Sequence, residues 1–319
     1  MKALMTAALA LACVVPSAAV AQDFPNRPIR LVVPYSAGGT TDVMARALQE
    51  PLRKALGQPL IVDNKTGASG SIAAREVARS PADGYTLLFV NNGNLAVVPF
   101  IMKDAGYDGV KDFTPVAQVS YAPMVVVVPE SLPVNDLRGF IELAKVKPTA
   151  YATAGVGSFG HLVTELFAKH AGLRLNHIPY KGQAPTTNAL LSGEVQLLIT
   201  SPSGTMNQFI AEKRLKLLAV TSAQESPLAP GTPTAASVLP GFSAESWFAI
   251  VGPAGMPADV VKRLNDAFSS AVKLPEVQAA FNGFGLIPQT ANPADLARKT
   301  AAEVERWSTV IRDNNISAN

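Results

Sequence analysis

The alternation of short apolar runs with segments of helical period constrains the fold of this chain more than any other feature. Apolar runs rich in β-branched residues predict buried strands, and apolar residues that recur at i and i+4 predict amphipathic helices. Such alternation is typical of parallel βαβ units and therefore of an α/β protein. The predicted strands are Ile29 to Val33, Leu60 to Val62, Thr86 to Val90, Met124 to Val128, Ala150 to Thr153, Leu175 to Ile178, Val195 to Ile199, Leu217 to Val220 and a late strand, Trp247 to Val251.

The predicted helices fill the stretches between and after these strands. The helix Val43 to Leu56 carries apolar residues at i, i+4 spacing, and Gly57 stands where a C-terminal cap belongs. Proline is favoured at the start of a helix, and the last two predicted helices follow Pro275 and Pro293. The other predicted helices are Leu162 to His170, Ala258 to Val272, Glu276 to Phe281 and Ala294 to Arg312.

The first 21 residues predict a secretory leader. Lys2 precedes an apolar stretch from Ala3 to Val15, and Ala19-Val20-Ala21 forms a cleavage site of the A-x-A type. Cleavage after Ala21 leaves about 298 residues, beginning at Gln22, which is enough for two domains of about 150 residues each. We therefore predict an exported, periplasmic protein without a membrane span.

Composition excludes several classes of function. The only cysteine, Cys13, lies in the predicted leader, so the mature chain has no thiol for a disulfide, a nucleophile or a metal ligand. The formal net charge of +3, or +2 without Lys2, is too weak for a nucleic-acid-binding surface. The three histidines lack the HExxH spacing or clustered carboxylates of a metal site. We expect no metal, no cofactor and no nucleic-acid partner.

Two glycine-rich loops, each between a predicted strand and a predicted helix, are the candidate ligand sites. They are Pro34-Tyr35-Ser36-Ala37-Gly38-Gly39-Thr40-Thr41-Asp42 and Thr153-Ala154-Gly155-Val156-Gly157-Ser158-Phe159-Gly160-His161. The start of a helix offers unpaired N–H groups and the positive end of the helix dipole, so an anion fits there without a basic side chain. Glycine has no Cβ, so a ligand can approach the backbone closely. An ordinary tight turn is the alternative for the first loop.

Two other functions deserve comparison with ligand binding. The second loop matches the dinucleotide pattern G-x-G-x-x-G, but the acidic residue expected about twenty positions later is absent from Leu173 to Tyr180. An exported esterase that uses Ser36 or Ser158 is the alternative of another class, although the chain has no G-x-S-x-G elbow. A Walker loop is excluded because no lysine follows the required glycine.

Aromatic and histidine side chains near the loops have two interpretations each. Tyr35 and Phe159 either cover the apolar part of a small ligand or pack under their own loops. His161 either reaches a ligand from the helix start or packs and caps. The remaining histidines and both tryptophans are interpreted as surface, structural or core residues: His170, His177, Trp247 and Trp307.

A series of short motifs extends in order over nearly the whole mature chain. They are Ile29-Arg30 through Pro34, Gly38-Gly39-x-x-Asp42, Gly67-Ala68-x-Gly70, Pro81-x-Asp83-Gly84-Tyr85-Thr86-Leu87, Asp112-Phe113, Ala144-Lys145, Gly155-x-Gly157, His161-Leu162, His177-x-Pro179-Tyr180-Lys181-Gly182, Leu218-Ala219-Val220-Thr221 and Pro253-Ala254-Gly255. This series resembles the Bug family, the extracytoplasmic solute receptors of tripartite tricarboxylate transporters. The resemblance implies a type II-like periplasmic binding protein of the Venus-flytrap kind, with a ligand cleft between two doubly wound α/β domains.

We predict a first domain from residues 22–122 and 247–319 and a second domain from residues 123–246, because the late strand can carry the chain back. The resemblance implies a receptor rather than an enzyme. Its ligand is a small carboxylate, either a dicarboxylate, a tricarboxylate, an acidic amino acid or an aromatic acid, held by backbone N–H groups and bridging waters. The implied partners are the membrane subunits of such a transporter or a sensor kinase, and the receptor is expected to be a monomer.

Carried over residue by residue, the resemblance implies ligand contacts in both domains. The first-domain contacts are Tyr35, Ala37, Gly38, Gly39 and Thr40, with Asn91, Asn92 and Gly93 nearby, and the second-domain contacts are Thr153, Gly155, Gly157, Ser158 and His161. The family usually shows an acidic residue where this chain has Thr200, followed by Ser201. That departure leaves the ligand open between a more anionic compound and one with a different hydrogen-bond pattern, and both residues are candidate contacts.

Overall fold

The computed structural model describes residues 24–35, 37–180 and 183–317, so the predicted leader lies outside the described residues. Within these ranges eleven strands form two sheets. They are β1 (Ile29–Val33), β2 (Leu60–Asn64), β3 (Thr86–Asn91), β4 (Phe113–Pro123), β5 (Val125–Pro129), β6 (Ala150–Thr153), β7 (Asn176–Pro179), β8 (Leu197–Thr200), β9 (Leu215–Val220), β10 (Glu245–Pro253) and β11 (Ile287–Ala291).

Eleven α-helices and two short 3₁₀ turns connect these strands. The helices are α1 (Thr40–Leu56), α2 (Ser71–Ala78), α3 (Asn92–Ala96), α4 (Val98–Ile101), α5 (Leu137–Val146), α6 (Phe159–Ala171), α7 (Gln183–Ser192), α8 (Gly204–Ala211), α9 (Ala258–Val272), α10 (Pro275–Gly283) and α11 (Pro293–Asp313). Among the described helices, none combines the length and apolarity needed to cross a membrane.

The first sheet has six strands in the order β11-β4-β10-β3-β1-β2. β1 pairs in parallel with β2 and with β3, as predicted. β10, however, runs antiparallel to both β3 and β4, and β11 runs antiparallel to β4. The prediction of parallel βαβ units is therefore confirmed for β1, β2 and β3 but not for the other half of the sheet, because β10 enters only after the chain returns from the other sheet.

The second sheet has five strands in the order β7-β6-β8-β5-β9. β6 pairs in parallel with β7 and β8, whereas β5 runs antiparallel to β8 and β9. β5 enters this sheet directly from β4 of the first sheet, so its direction is set by that crossing and not by a βαβ connection. Both sheets are mixed, and at one side of each sheet three adjacent strands run parallel to one another.

The two sheets are joined at crossings that hydrogen-bond to one another. Met124 alone separates β4 from β5, and its N–H donates to Oγ1 of Thr221 at 2.9 Å, just after β9. The N–H of Ala244, just before β10, donates to the carbonyl of Thr221 at 2.8 Å. The outgoing and returning connections therefore meet at one buried threonine.

α11 packs against side chains of both sheets. Leu296, near its start, lies in a core with residues of β3 and β10. Trp307, Val310 and Ile311, near its end, lie in a core with residues of β5, β6 and α6. The edge of the Trp307 ring contacts Phe159, with centroids 5.2 Å apart. α11 thus forms a third connection between the two sheets, made by packing and not by the chain itself.

Most predicted elements are found within a few residues of their predicted bounds. Gly57 ends α1 in the left-handed region, with φ +74°, and its N–H donates to the carbonyl of Arg53, as the capping prediction requires. Trp247 and Trp307 are both buried, as predicted. Two strands were not predicted, β4 and β11. The segment Asn91 to Gly93, which follows the predicted strand Thr86 to Val90, forms the last residue of β3 and the start of α3.

Candidate functional site

A cavity of about 690 Å³ lies between the two sheets. Its first-sheet side is formed by Tyr35, Gly39, Thr40, Thr41, Asn91, Ala122, Ser246, Phe248, Gly283, Phe284, Gly285 and Leu286. Its second-sheet side is formed by Met124, Thr153, Ala154, Ser158, Phe159, Gly160, Gln183, Thr186, Leu198, Ile199, Thr200, Ser201, Pro202, Ser203 and Gly204. None of these described lining residues is acidic or basic. Several of them follow the carboxyl ends of β1, β3, β6 and β8, where ligands bind in open α/β sheets.

The start of α1 offers open backbone donors to the cavity. Gly39 is the N-cap and has no side chain with which to cap the helix, and no other described side chain caps it. The first N–H groups of a helix have no acceptor within the helix. Because Gly39, Thr40 and Thr41 line the cavity, these donors and the positive end of the helix dipole are directed toward it.

Asp42 stabilises the first loop and is not among the described residues of the cavity wall. Its buried carboxylate accepts hydrogen bonds from the N–H of Gly38, Nε of Arg46 and Nδ2 of Asn64, each at 2.9 Å. The hydrogen bond from Arg46 is the main cause that lowers the pKa of this carboxyl below its usual value. Asp42 is therefore ionised at neutral pH, and it occupies the Gly38 donor that the sequence suggested for a ligand.

Tyr35 is held by a network of amides at the edge of the cavity. Its hydroxyl oxygen accepts from Nδ2 of Asn91 and from Nδ2 of Asn94, both at 3.0 Å. Asn91 and Asn94 in turn cap the start of α3 reciprocally through their side chains. Burial raises the pKa of the Tyr35 hydroxyl, so it stays neutral. Tyr35 packs against a core of the first sheet, as one interpretation predicted, and it also lines the cavity, where its contact with a ligand stays a prediction.

The second glycine loop uses most of its N–H groups internally. Oγ of Ser158 accepts from the N–H of His161 at 3.4 Å, and Nδ1 of His161 accepts from the N–H of Gly157 at 3.1 Å. The N–H of Ser158 donates to the carbonyl of Gly155 at 3.2 Å, and the N–H of Gly155 donates to Oγ1 of Thr153 at 3.4 Å. The open donors at the start of α6 are thus fewer than at the start of α1.

His161 is a packed and capping side chain. It is buried, and its ring stacks on His177 with centroids 3.9 Å apart, while Tyr151 stacks beyond them. Burial, with a smaller effect of His177, lowers the pKa of His161 to about 4. His161 is therefore neutral at pH 7, which agrees with Nδ1 acting as an acceptor. His177 connects this histidine stack to the cavity wall, because its Nε2 lies 2.6 Å from Oγ1 of the cavity residue Thr153.

The segment from β8 to α8 brings a third helix start to the cavity. Ser203 caps α8, because its Oγ accepts from the N–H of Met206 at 3.2 Å. Nε2 of Gln183, on α7, donates to the carbonyl of Ser201 at 2.9 Å and to Oγ1 of Thr200 at 3.3 Å. Gln183, Thr186, Ser203 and Gly204 were not predicted as site residues. A serine three positions after a strand and directly before a helix was the signal that could have identified the α8 start.

A turn from the first-sheet side reaches across the cavity mouth. A Cβ built on Gly285 would lie 3.3 Å from Cγ of Pro202, so the turn between α10 and β11 contacts the loop after β8. Phe284, in this turn, lines the cavity and keeps 44 % of its surface exposed. This turn was also not predicted, although the sequence Gly283-Phe284-Gly285 marks it as an unusual apolar loop.

The structure brings about half of the predicted site residues to the cavity wall: Tyr35, Gly39, Thr40, Asn91, Thr153, Ser158, Thr200 and Ser201. The described cavity wall does not include Ala37, Gly38, Asn92, Gly93, Gly155, Gly157 or His161. Asn92 points away, because its Nδ2 donates to the carbonyl of Glu245 at 3.0 Å and to Oε2 of Glu303 at 3.3 Å. Phe159 lines the cavity as well as packing on Trp307.

Catalytic and metal-binding arrangements are not found in the described part of the chain. Oγ of Ser158 accepts a backbone N–H, and Nδ1 of the nearest histidine, His161, is engaged by Gly157, so no base is positioned to activate this serine. Ser36 lies outside the described residues. No group of three or more His, Cys, Asp or Glu side chains within the described ranges is arranged to hold a metal ion.

Comparisons with known proteins agree with this geometry. A family model described as tripartite tricarboxylate transporter family receptor matches residues 44–316. The protein BugT of Bordetella pertussis is 37 % identical over 297 residues, which cover 92 % of this chain and 91 % of BugT.

Two solved structures were obtained with carboxylates. A R. palustris protein solved with adipate is 35 % identical and has a TM-score of 0.76, covering 92 % of this chain and 99 % of that one. MatC from Rhodopseudomonas palustris, with bound malate, is 31 % identical and has a TM-score of 0.72, covering 90 % of this chain and 100 % of MatC.

Solved periplasmic binding proteins also match over most of the chain, which confirms the predicted two-domain α/β fold of the Venus-flytrap kind. These relatives are binding proteins and not enzymes, so the prediction of a receptor is confirmed and the esterase and dinucleotide alternatives are not supported. The chain belongs to the TctC, or Bug, family of solute-binding receptors.

Proposed function

We propose that this receptor captures a small carboxylate in the cavity between the two sheets. The observation that carries the proposal is the uncapped start of α1, which faces a cavity whose described wall has no charged side chain. An anion is the ligand that unpaired N–H groups and a positive helix end favour. Two relatives, solved with adipate and with malate, bind anions of this chemistry.

Such a site can bind a carboxylate with micromolar affinity without an arginine. Four to six hydrogen bonds to a charged ligand, at about 1.5 to 3 kcal/mol each, offset an association cost of about 4 to 15 kcal/mol. Micromolar affinity requires only about 8 kcal/mol. Hydroxyl groups of Thr40, Ser158 and Thr200 and bridging waters supplement the backbone donors on the cavity wall.

Ligand capture is coupled to closure of the two halves of the molecule. The first half supplies the α1 loop and the second half supplies the loops before α6 and α8, so a single ligand bridges both. A ligand that contacts both halves stabilises the closed arrangement only while it is bound. We assign residues 22–122 and 247–319 to the first domain and residues 123–246 to the second. In the periplasm the closed receptor would act as a monomer and present its ligand to membrane transporter subunits or to a sensor.

A thermal-shift panel tests the proposal. The mature chain, purified from Gln22 onward, is screened with mono-, di- and tricarboxylates, and its native mass spectrum is recorded to identify a retained ligand. A ligand present at 100 times its Kd stabilises the folded state by about 2.7 kcal/mol, which raises Tm by roughly 4 °C for a chain of this size. Methyl esters of the active acids are the matched neutral control and are expected to give no shift. Equal stabilisation by an acid and its ester, or no shift with any carboxylate, contradicts the proposal.

A further inference from the structure

We infer that the receptor selects carboxylates that carry no amino group and have an apolar body. The inference rests on the proposed function, since it specifies which carboxylates the same cavity accepts. Its basis is the charge of the cavity wall, where the described residues include hydroxyls, amides and apolar side chains but no carboxylate. An ammonium group on a bound ligand would therefore have no counter-ion.

Carboxylates near the cavity are already engaged elsewhere. Asp42, in the first turn of α1, directs both oxygens to Gly38, Arg46 and Asn64 and has almost no exposed surface. Glu165, on α6, accepts from the hydroxyl of Tyr151, and its Oε1 lies 3.9 Å from Nε2 of the buried His161. The three internal residues outside the described ranges, Ser36, Lys181 and Gly182, include no acid. Within the described residues, neither the cavity wall nor these two neighbouring acids offers a free carboxylate to a ligand ammonium group.

Helix starts add a repulsive contribution. α1, α6 and α8 all direct their N-terminal ends to the cavity, and the partial positive charge at each end disfavours a cation. An ammonium group in this cavity would thus lose hydration and meet positive helix ends. Burying a charged donor without a partner is more costly than leaving a neutral one unpaired.

Apolar side chains form the part of the cavity wall that is not formed by the N-terminal ends of the helices. Phe248, Phe284 and Leu286 line it from the first-sheet side, and Met124 and Ile199 line it from the second. Methylene or aromatic carbons of a ligand would bury their surface against these groups. A carboxylate with a carbon chain or ring, and without an amino group, fits both parts of the wall.

Thr200 is the position at which this selectivity is most easily changed. It ends β8, lines the cavity, and its Oγ1 accepts from Nε2 of Gln183 at 3.3 Å. A carboxylate at this position would supply the missing counter-ion and would keep Gln183 as a donor to it. Thr200→Asp is therefore expected to favour aminated ligands at the expense of unaminated ones.

Matched ligand pairs that differ only in the amino group test the inference by isothermal titration calorimetry. The pairs are succinate and aspartate, adipate and 2-aminoadipate, and 3-phenylpropanoate and phenylalanine. In each pair with a binding member, we expect the aminated acid to bind at least about 30-fold more weakly. Equal affinity within the pairs overturns the inference and leaves the proposed function intact. Failure of every carboxylate to bind removes the proposed function itself.

The Thr200→Asp variant provides a second readout that does not depend on absolute affinity. In this variant, the Kd of the aminated acid divided by the Kd of the unaminated acid is expected to fall at least about tenfold within each pair. Ser131→Asp is the matched control. Thr200 pairs with Val125 at the start of β5, whereas Ser131 is exposed and follows the last residue of β5, Pro129. The same charge at Ser131 should therefore leave the ratio unchanged. Unliganded Tm values establish that both variants are folded. A ratio that is the same in both variants and the parent overturns the role assigned to Thr200 and to the uncharged wall.

Discussion

The two glycine loops that reach the cavity look alike in sequence but treat their backbone N–H groups differently. In the first loop a glycine, Gly39, caps α1 without a side chain, and the first donors of the helix remain open. In the second loop a serine, Ser158, caps α6, and His161 occupies the donor of Gly157. A glycine-rich turn before a helix therefore indicates where a ligand can bind, whereas the capping side chains decide how many donors are left for it.

The largest expected effect comes from capping the first loop with a charge. Gly39 has φ −75° and ψ 166°, which any residue adopts, so Gly39→Asp places a capping carboxylate where the ligand carboxylate is proposed to lie. Two like charges about 4 Å apart repel by about 4 kcal/mol at an effective dielectric constant of about 20. We expect at least a thousandfold loss of affinity, roughly 4 kcal/mol, with stability changed by only a few tenths of a kcal/mol.

Calorimetry with the best carboxylate of the panel measures this effect, and urea unfolding measures stability. Gly39→Asn is the matched control, because it caps the helix without adding a charge and should weaken binding much less. Unchanged affinity in Gly39→Asp would show that the start of α1 is not the anion site.

The next effect compares one glycine of positive φ from each loop. Gly38 and Gly157 have φ of +79° and +74°, but a Cβ on Gly38 would meet nothing within 4 Å, whereas one on Gly157 would lie 2.5 Å from Cδ1 of Ile101. Gly38→Ala should therefore cost only the backbone strain, about 1 kcal/mol. Gly157→Ala should cost about 2 to 3 kcal/mol, because the packing conflict is added.

A double-mutant cycle by urea unfolding checks the cause of that difference. Ile101→Val removes the Cδ1 atom that the new methyl group would meet. The double variant is expected to be less destabilised than the sum of the two single variants. Simple additivity would show that contact with α4 does not brace the second loop.

A pH dependence follows from the histidine that braces the second loop. The pKa of His161 is about 4 in the folded chain, below its ordinary value of 6.5, so the unfolded chain takes up this proton first as the pH falls. The contribution of His161 to stability is full above about pH 6.5 and is lost progressively down to about pH 4. We expect the free energy of unfolding to fall by about 1 to 3 kcal/mol over this window.

Urea unfolding at several pH values measures this loss. His161→Asn removes the titrating ring and places an amide oxygen near the Nδ1 position as an acceptor for Gly157, so its stability should depend less steeply on pH than that of the parent. Identical slopes would mean that His177 or the carboxylates dominate the dependence.

The smallest effect concerns the cap that distinguishes the loops. Ser158→Ala removes the side chain that accepts from His161 and should cost about 1 kcal/mol of stability. Ser158→Gly makes the second cap resemble the first and should cost only a few tenths of a kcal/mol. Thermal unfolding of the two variants checks the difference. A larger loss for glycine than for alanine would contradict the capping role.

Local patterns predicted most of the fold but not two of its strands. β1, β6 and α9 begin and end where their apolar patterns predict. β4 and β11 contain Pro115 and Pro288 together with polar residues, so neither reads as an apolar or alternating run. Both are strands because they pair within one edge of the first sheet, β4 with β10 and β11 with β4, and this tertiary pairing has no local signal.

The sequence predicted the parts of the candidate site that lie in the glycine loops. It did not predict the parts that depend on side-chain hydrogen bonds or on contacts between distant segments. The sequence places Gly39 and Ser158 in the glycine loops that precede two predicted helices, and both residues line the cavity. It gives no indication that Asp42 occupies the donor of Gly38. It also gives no indication that the turn at Phe284 crosses to the second sheet, because that contact joins residues far apart in the chain.

α11 has a mechanical consequence for the whole receptor. Its two ends are packed in the cores of the two halves, so this helix resists movement of one half relative to the other. In the proposed opening, this helix would have to bend or Trp307 would have to move against the cavity residue Phe159. The rate at which a captured ligand escapes would then depend in part on Trp307, which is not among the described residues of the cavity wall.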